Sequence, residues 1–289
     1  MLNIYGPGGV GGVLAGALAH AGVDVAVVAR PSTAAVINRA GLRLDSAQFG
    51  HFTVEVPAVT APMKGAPTLI CTKSYALDAI ADAIRAAHPA EVGALCNGAS
   101  HAEKVRALAE VAWSGSIRVI SERVAPGVIK QSSTFSDIRV PDAFADGEIA
   151  AALRAGGVKV DAGGTEPQVL WNKLAFLSPM ALLTAATGVG VGVAIEQQPE
   201  LAEALTREMA TVAQAEGTAI TAGDIMANLR SLGRDSLSSL ARDVRDGKPH
   251  TEFDALGPAV LDAASARGIA TPALAALVSA VDDRLHPER

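Results

Sequence analysis

Met1-Leu-Asn-Ile-Tyr5-Gly-Pro-Gly-Gly-Val-Gly11 opens the chain, and its reading decides the fold of the first half. Met1 to Tyr5 is a short apolar run with no room for a helix. It stops at clustered glycines where the backbone must turn sharply, which predicts a buried strand feeding a glycine turn. Val10 to Ala21 is small and mostly apolar, so a tightly packed helix follows, with Gly22 as its stop. Val23 to Ala29 reads as a second strand. Strand, G-x-G-x-x-G, helix, strand is the dinucleotide-binding fingerprint. Gly6 permits the tight turn, Gly8 lets the backbone approach a pyrophosphate, and Gly11 lets the helix lie close to the strand. Pro7, Gly9 and Val10 complete the loop at the helix N-terminus, where the pyrophosphate would lie.

The end of the second strand selects the cofactor. An NAD site wants an acid there to bond the ribose hydroxyls, whereas an NADP site takes a cation. The chain offers Ala29-Arg-Pro-Ser-Thr33, and the nearest acid, Asp24, is at the wrong end of the strand. Arg30 can fork onto a 2′-phosphate, with Ser32 or Thr33 adding hydroxyl bonds, so NADP(H) is the expected cofactor.

The chain has 289 residues, enough for two domains, and its 49% hydrophobic content is that of a well-cored globular protein. Aromatics are scarce, so the core must be built from Ala, Val, Leu and Ile. With a net charge of −6 and no basic run, nucleic acid and anionic membrane are poor partners. Cys71 and Cys96 fall in apolar, strand-like stretches and are expected to be buried free thiols in a reducing compartment. Met1 leads directly into the first strand, which leaves no room for a signal peptide, and no apolar stretch is expected to span a bilayer without a break. A cytoplasmic location is expected, and a homodimer is compatible with the sequence. No His/Cys/Asp/Glu cluster has metal-site spacing.

After Arg30 a helix-like stretch runs to about Ala40, then two alternating segments, Leu42 to Asp45 and Phe52 to Val56. Thr68 to Thr72 reads as a buried strand ended by Lys73, Ala76 to Ala87 as a helix, and Val92 to Cys96 as a strand ended by Asn97-Gly98. Lys73 and Asn97 thus fall at carboxyl ends of strands, the edge where open α/β sheets bind ligands. Ile117 to Val124, Gly127 to Ser133 and Asp137 to Val140 predict strands of an antiparallel edge. Ala143 to Ala155 predicts a helix and Val158 to Ala162 a last strand. Beyond Gly163-Gly164 the strand signals stop. The expected class is therefore α/β, a Rossmann-type dinucleotide-binding domain over 1–163 followed by an all-helical domain over 164–289.

The helical half opens with Thr165-Glu-Pro-Gln168, a capping-box pattern. Lys173 then lies among Leu170, Trp171, Leu174, Phe176 and Leu177. A lysine in such a stretch either snorkels to water or sits partly desolvated, where its proton becomes easier to transfer. Pro179 predicts a kink or break. Asp235 to Asp243 is an amphipathic piece with adjacent serines, and Thr251-Glu-Phe-Asp254 opens another helix, with Glu252 where an acid complements the dipole.

These places together resemble the ketopantoate reductase (2-dehydropantoate 2-reductase) family, over most of the chain. Gly6-x-Gly8-x-x-Gly11, Arg30, Thr72-Lys73, Asn97-Gly98, Trp171-x-Lys173-Leu174 with Leu183-Thr184-Ala185, Ser239-x-x-x-Asp243 and Thr251-Glu252-x-Asp254 occur in family order. The ending Arg267-Gly-Ile-Ala-Thr-Pro272 is similar too. The resemblance implies a Rossmann domain holding NADPH and a helical domain closing over it, with the active site in the cleft. Lys173 would be the catalytic lysine, acting as general acid to a carbonyl oxygen as hydride reaches the neighbouring carbon. Glu252 would hold cofactor and substrate hydroxyl, and Ser239 the substrate carboxylate. Asn97 and Lys73 would touch the nicotinamide half of the cofactor, with Asn97 also reaching the substrate.

The departures concern substrate. The family usually has asparagines four and eight residues after the lysine, where this chain has Leu177 and Ala181. The asparagine usual after the Glu252 motif is Leu256. If the helix holds past Pro179, Lys173, Leu177 and Ala181 are expected to share one cleft, which favours a less polar substrate. Three readings stay open: a ketopantoate reductase with an unusual pocket, a relative reducing another ketone, keto acid or imine, and a dinucleotide-binding sensor without turnover. A sensor would need neither Lys173 nor Glu252.

Overall fold

The computed structural model describes residues 1–286. They form two compact units, 1–96 with 101–169, and 97–100 with 170 onward.

In chain order the first unit contains β1 (Leu2–Tyr5), α1 (Gly9–His20), β2 (Val25–Val28), α2 (Pro31–Ala40), β3 (Leu42–Ser46), β4 (Gly50–Val54), β5 (Ala58–Val59), β6 (Thr68–Ile70), α3 (Leu77–Ala86) and β7 (Val92–Ala94). Then come α4 (Ala102–Arg106), β8 (Ala112–Ser114), β9 (Ser116–Arg118), β10 (Ser121–Ala125), β11 (Val128–Gln131), β12 (Asp137–Val140), α5 (Glu148–Ala155) and β13 (Lys159–Ala162). Six strands pair in the order β5-β2-β1-β6-β7-β8, every ladder parallel. Strands buried on both faces read as continuous apolar runs, as in Val25-Ala-Val-Val28, all buried. The chain leaves β1 in one direction to β2 and β5 and later returns to β6 on its other side. That reversal is the switch point of a doubly wound sheet, and it lies where Gly6 ends β1 and Cys71 to Lys73 follow β6.

The strands expected to form an antiparallel edge of this sheet belong to two others. One runs β10-β11-β3-β4 and the other β13-β12-β9. The β10-β11 hairpin is antiparallel as expected, but β11 then pairs parallel with β3. What recruits this second sheet is α1. A side chain at Gly12 would collide with Ile129 of β11, and one at Gly16 would sit 3.2 Å from Leu44 of β3. Helix α1 is apolar all round because it is covered on more than one side. The edge strands β5 and β8 and helix α4 were too short to leave a period. The helix read over Ala143 to Ala155 is a 3-10 turn at Asp142–Phe144 and then α5. Buried Glu91 sets the restart, its carboxylate accepting from Ile149 N–H (3.1 Å) and the Trp113 indole (2.7 Å).

Cys71 and Cys96 are unbridged and follow neighbouring strands. Burial, with a smaller contribution from Cys96, pushes the Cys71 thiol far above its usual range, so it stays protonated at neutral pH.

The second unit contains most of α6 (Glu166–Thr187), then α7 (Val191–Gln197), α8 (Pro199–Ala215), α9 (Ala222–Ser231), α10 (Ser239–Arg245), α11 (Phe253–Leu256), α12 (Pro258–Ala266) and α13 (Pro272–Leu285). Leu182, Leu205, Met209, Leu229, Val260 and Leu274 are among its core. Some helix starts are closed by side chains. Thr165 and Gln168 bond reciprocally at the start of α6, as the sequence pattern predicts. The Glu208 carboxylate accepts the Ala273 and Leu274 N–H groups at 2.9 and 2.8 Å, which anchors α13 behind Thr271-Pro272.

Pro179 does not break α6, which runs unbroken for 22 residues. The expectation that no apolar stretch reaches bilayer length without a break therefore fails, since α6 is long and apolar enough by length and composition alone. Most of it is buried inside the protein, as in the central helix of a packed core.

Candidate active site

In the first unit the glycine turn has a specific geometry. Gly6 has φ +89°, and a Cβ there would lie 2.7 Å from the Thr72 methyl, so the ends of β1 and β6 meet at glycine because nothing larger fits. A Cβ at Gly11 would collide with the Gly6 carbonyl, and one at Gly9 would lie 2.8 Å from the Ser121 carbonyl. At Gly8 it would meet nothing within 4 Å. The loop is therefore packed on its inner side and open at Gly8, the position where a ligand's phosphates would approach. Helix α1 starts at Gly9 with no acidic residue in its first turn and no side-chain cap, so its first N–H groups point outward without a carbonyl one turn back. Those features fit a dinucleotide pyrophosphate.

Arg30 is exposed and stands immediately before α2, where its carbonyl accepts the Thr33 and Ala34 N–H groups. Ser32 is exposed and Thr33 is buried. Lys73 is exposed at the start of the 3-10 turn Ser74–Ala76.

In the second unit three predicted residues come together. Lys173 Nζ donates to Asn97 Oδ1 at 2.6 Å, and Asn97 Nδ2 donates to Glu252 Oε2 at 3.2 Å. The glutamate is 4% exposed, and a buried carboxylate can only accept from an amide. It therefore fixes which way the amide faces, leaving the carbonyl oxygen for the ammonium. Local folding explains how residues 76 and 155 positions apart meet here. Gly98 has φ +89°, and a Cβ there would lie 3.0 Å from the Ala255 methyl, so the Asn97-Gly98 turn seats on α11, which Glu252 caps. Ser178, on the helix that carries Lys173, donates to the Leu256 carbonyl at 2.6 Å. Ser178→Ala should cost about 0.5–1.5 kcal/mol of stability, read as a shift in denaturant midpoint.

Ser239 is the first residue of α10 and partly exposed, whereas its neighbour Ser238 is buried as the cap. The Thr184 hydroxyl lies 2.8 Å from the Met180 carbonyl and 2.7 Å from the Ser238 hydroxyl, and either hydroxyl can donate in the second bond. Ser238 in turn accepts from Ala241 N–H at 3.0 Å. This chain of bonds pins the start of α10 to α6 and accounts for both the threonine and the paired serines.

Two of the departures from the family pattern lie in the core: Ala181 is 1% exposed and part of the helical cluster, as is Leu256, also 1% exposed. Leu177 stays partly exposed. The helical period contains the reason: at about 100° per residue, Ala181 is turned about 80° from Lys173, while Met180 lies only about 20° from it. Met180 is partly exposed and lies closest to the angular position of Lys173, a position the sequence reading passed over.

The family profile for "Ketopantoate reductase PanE/ApbA" matches residues 3–143, and that for its C-terminal domain matches 167–284. No curated protein matches the chain. Among solved structures, a PanE/ApbA family ketopantoate reductase from Ralstonia eutropha JMP134 is 29% identical, with 99% of each chain covered and a TM-score of 0.86. D-mandelate dehydrogenase with NADH and anilino(oxo)acetate is 18% identical over 99% of each chain, TM-score 0.88. The 2-dehydropantoate 2-reductase of Methylococcus capsulatus is 20% identical over 97% of this chain and 95% of that one, TM-score 0.84. The last two share the fold. With both domain profiles matched in order over most of its length, the chain belongs to the ketopantoate reductase family.

Proposed function

We propose that the protein is an NADPH-dependent reductase acting on the carbonyl of a 2-oxo acid. The Lys173–Asn97–Glu252 cluster carries this reading, because it presents a positioned ammonium backed by a buried carboxylate. Bound NADPH would supply the hydride. As negative charge grows on the carbonyl oxygen, Lys173 stabilises it and delivers a proton from Nζ. Asn97 holds the ammonium in place, and Glu252 holds Asn97. Ser239 is proposed to grip the substrate carboxylate, and Lys73 to touch the nicotinamide half of the cofactor. The loop Gly6 to Gly11 would hold the pyrophosphate, in line with D-mandelate dehydrogenase, a protein of the same fold solved with NADH.

Preference for NADPH over NADH rests on Arg30. Arg30→Ala should weaken NADPH binding by about 1.5–3 kcal/mol, the loss of a charge-assisted phosphate bond, and leave NADH affinity nearly unchanged. Equal losses for both cofactors in a binding titration would remove the phosphate assignment. The function itself is tested by following NADPH and NADH oxidation with purified protein and a set of 2-oxo acids. Absence of acid-dependent oxidation with either cofactor overturns the reading.

A further inference from the structure

Two hydroxyls on α6 use their protons differently. Thr187 bonds back to the Leu183 carbonyl four residues earlier, at 2.6 Å, the usual habit of a helical hydroxyl. Ser178, 0% exposed, instead donates out of the helix to the Leu256 carbonyl, 78 positions away, at 2.6 Å. That carbonyl ends α11, a helix of four residues and so too short to hold its shape unaided. It is one of the acceptors that a helix end leaves without a partner of its own. The Leu256 N–H bonds the Glu252 carbonyl at 3.2 Å, so Leu256 links Glu252 on one side to Ser178 on the other.

These bonds close a ring. From Lys173 it runs through Asn97 and Glu252 at 2.6 and 3.2 Å, through Leu256 to Ser178, and back along α6 to Lys173. Ser178 follows Lys173 at about 7.5 Å along the helix axis and about 140° around it. The stretch of α6 between them is a rigid bar, with an ammonium on its partly exposed side and a hydroxyl on its buried side. We propose that Ser178 is a positioning residue for the proton transfer: its hydroxyl holds the Glu252 turn in register with α6, and so fixes where Asn97 holds the Lys173 ammonium. The proposal rests on the reading that Lys173 protonates the substrate carbonyl. Without the hydroxyl the Leu256 carbonyl is left buried and unpaired, and α11 shifts to find another donor. The carboxylate and the amide shift with it, and a small misplacement of a catalytic group is costly in rate.

The test is steady-state reduction of 2-oxo acids with NADPH by three Ser178 variants and one control. Ser178→Ala removes the hydroxyl, Ser178→Cys keeps a similar volume with a weak donor, and Ser178→Thr keeps the donor. The control, Thr187→Ala, removes from the same helix a hydroxyl whose bond stays inside it. On the acid turned over best, the alanine and cysteine variants should lose about ten-fold in kcat, with KM for NADPH within about two-fold of wild type. Ser178→Thr should recover most of the rate, and Thr187→Ala should keep wild-type kcat even where its unfolding midpoint falls as far. Should Ser178→Ala fail to fold, the cysteine variant, which fills the same space, decides. Wild-type kcat in the alanine or cysteine variant, an equal loss in Thr187→Ala, or a stably folded threonine variant as slow as the cysteine one overturns the positioning role and leaves the reductase reading intact. Absence of turnover in the wild-type protein fails the reductase reading and takes the role with it.

Discussion

Replacing Lys173 by alanine is expected to lower turnover by about two to four orders of magnitude while NADPH affinity stays near wild type. In the proposed reaction the ammonium is the proton source; it donates to Asn97, whose amide donates in turn to buried Glu252. Removing the nitrogen takes away both the charge that stabilises the developing alkoxide and the proton that quenches it. The stem is only partly buried, so the loss should fall on kcat and not on folding. Lys173→Arg sharpens the result. It keeps a cation, but guanidinium gives up no proton at working pH and its planar fork does not fit a site built for a single point charge, so it should rescue little. An alanine variant turning over at more than a tenth of the wild-type rate on the preferred acid removes Lys173 from the mechanism. A parallel loss of NADPH affinity would instead place it on the cofactor.

The glycine turn was legible because its constraints are local. Gly6, Gly8 and Gly11 lie within six positions of one another, directly between the strand and the helix that they join, although Gly6 and Gly11 also pack against Thr72 and Cys71 after β6. The main sheet could be read for a similar reason, its strands being apolar runs separated by helical periods. The second sheet could not. It exists because β11 packs on α1 across more than a hundred residues, and nothing in Val128-Ile-Lys-Gln131 announces that contact. The meeting of Lys173, Asn97 and Glu252 was anticipated from the order of family motifs. Its cause, a turn at Gly98 fitted onto Ala255, is a long-range fit that single-sequence patterns do not carry. On α6 the positions counted from Lys173 drift apart for a simpler reason. Counting by fours gathers error at about 40° per step, so the second step lands in the core.

That error leads to a second large effect. If Ala181 faced the substrate, Ala181→Asn would restore a family-like amide and raise activity on ketopantoate. The structure requires the opposite. Ala181 is 1% exposed and belongs to the same core cluster as Leu182 and Leu205. An asparagine there adds volume to a close-packed core, at about 1–3 kcal/mol, and buries an amide lacking partners, at about 1–3 kcal/mol more. The variant should lose about 3 kcal/mol or more, seen as a thermal midpoint lower by roughly 6–12 °C for a protein of this size. Leu177→Asn, at a partly exposed position one turn from Lys173, should stay within about 1 kcal/mol of wild type and change substrate ranking instead. The two asparagines thus separate a core position from a partly exposed one on the same helix, and the core assignment of Ala181 fails if Ala181→Asn keeps wild-type stability and gains activity on ketopantoate.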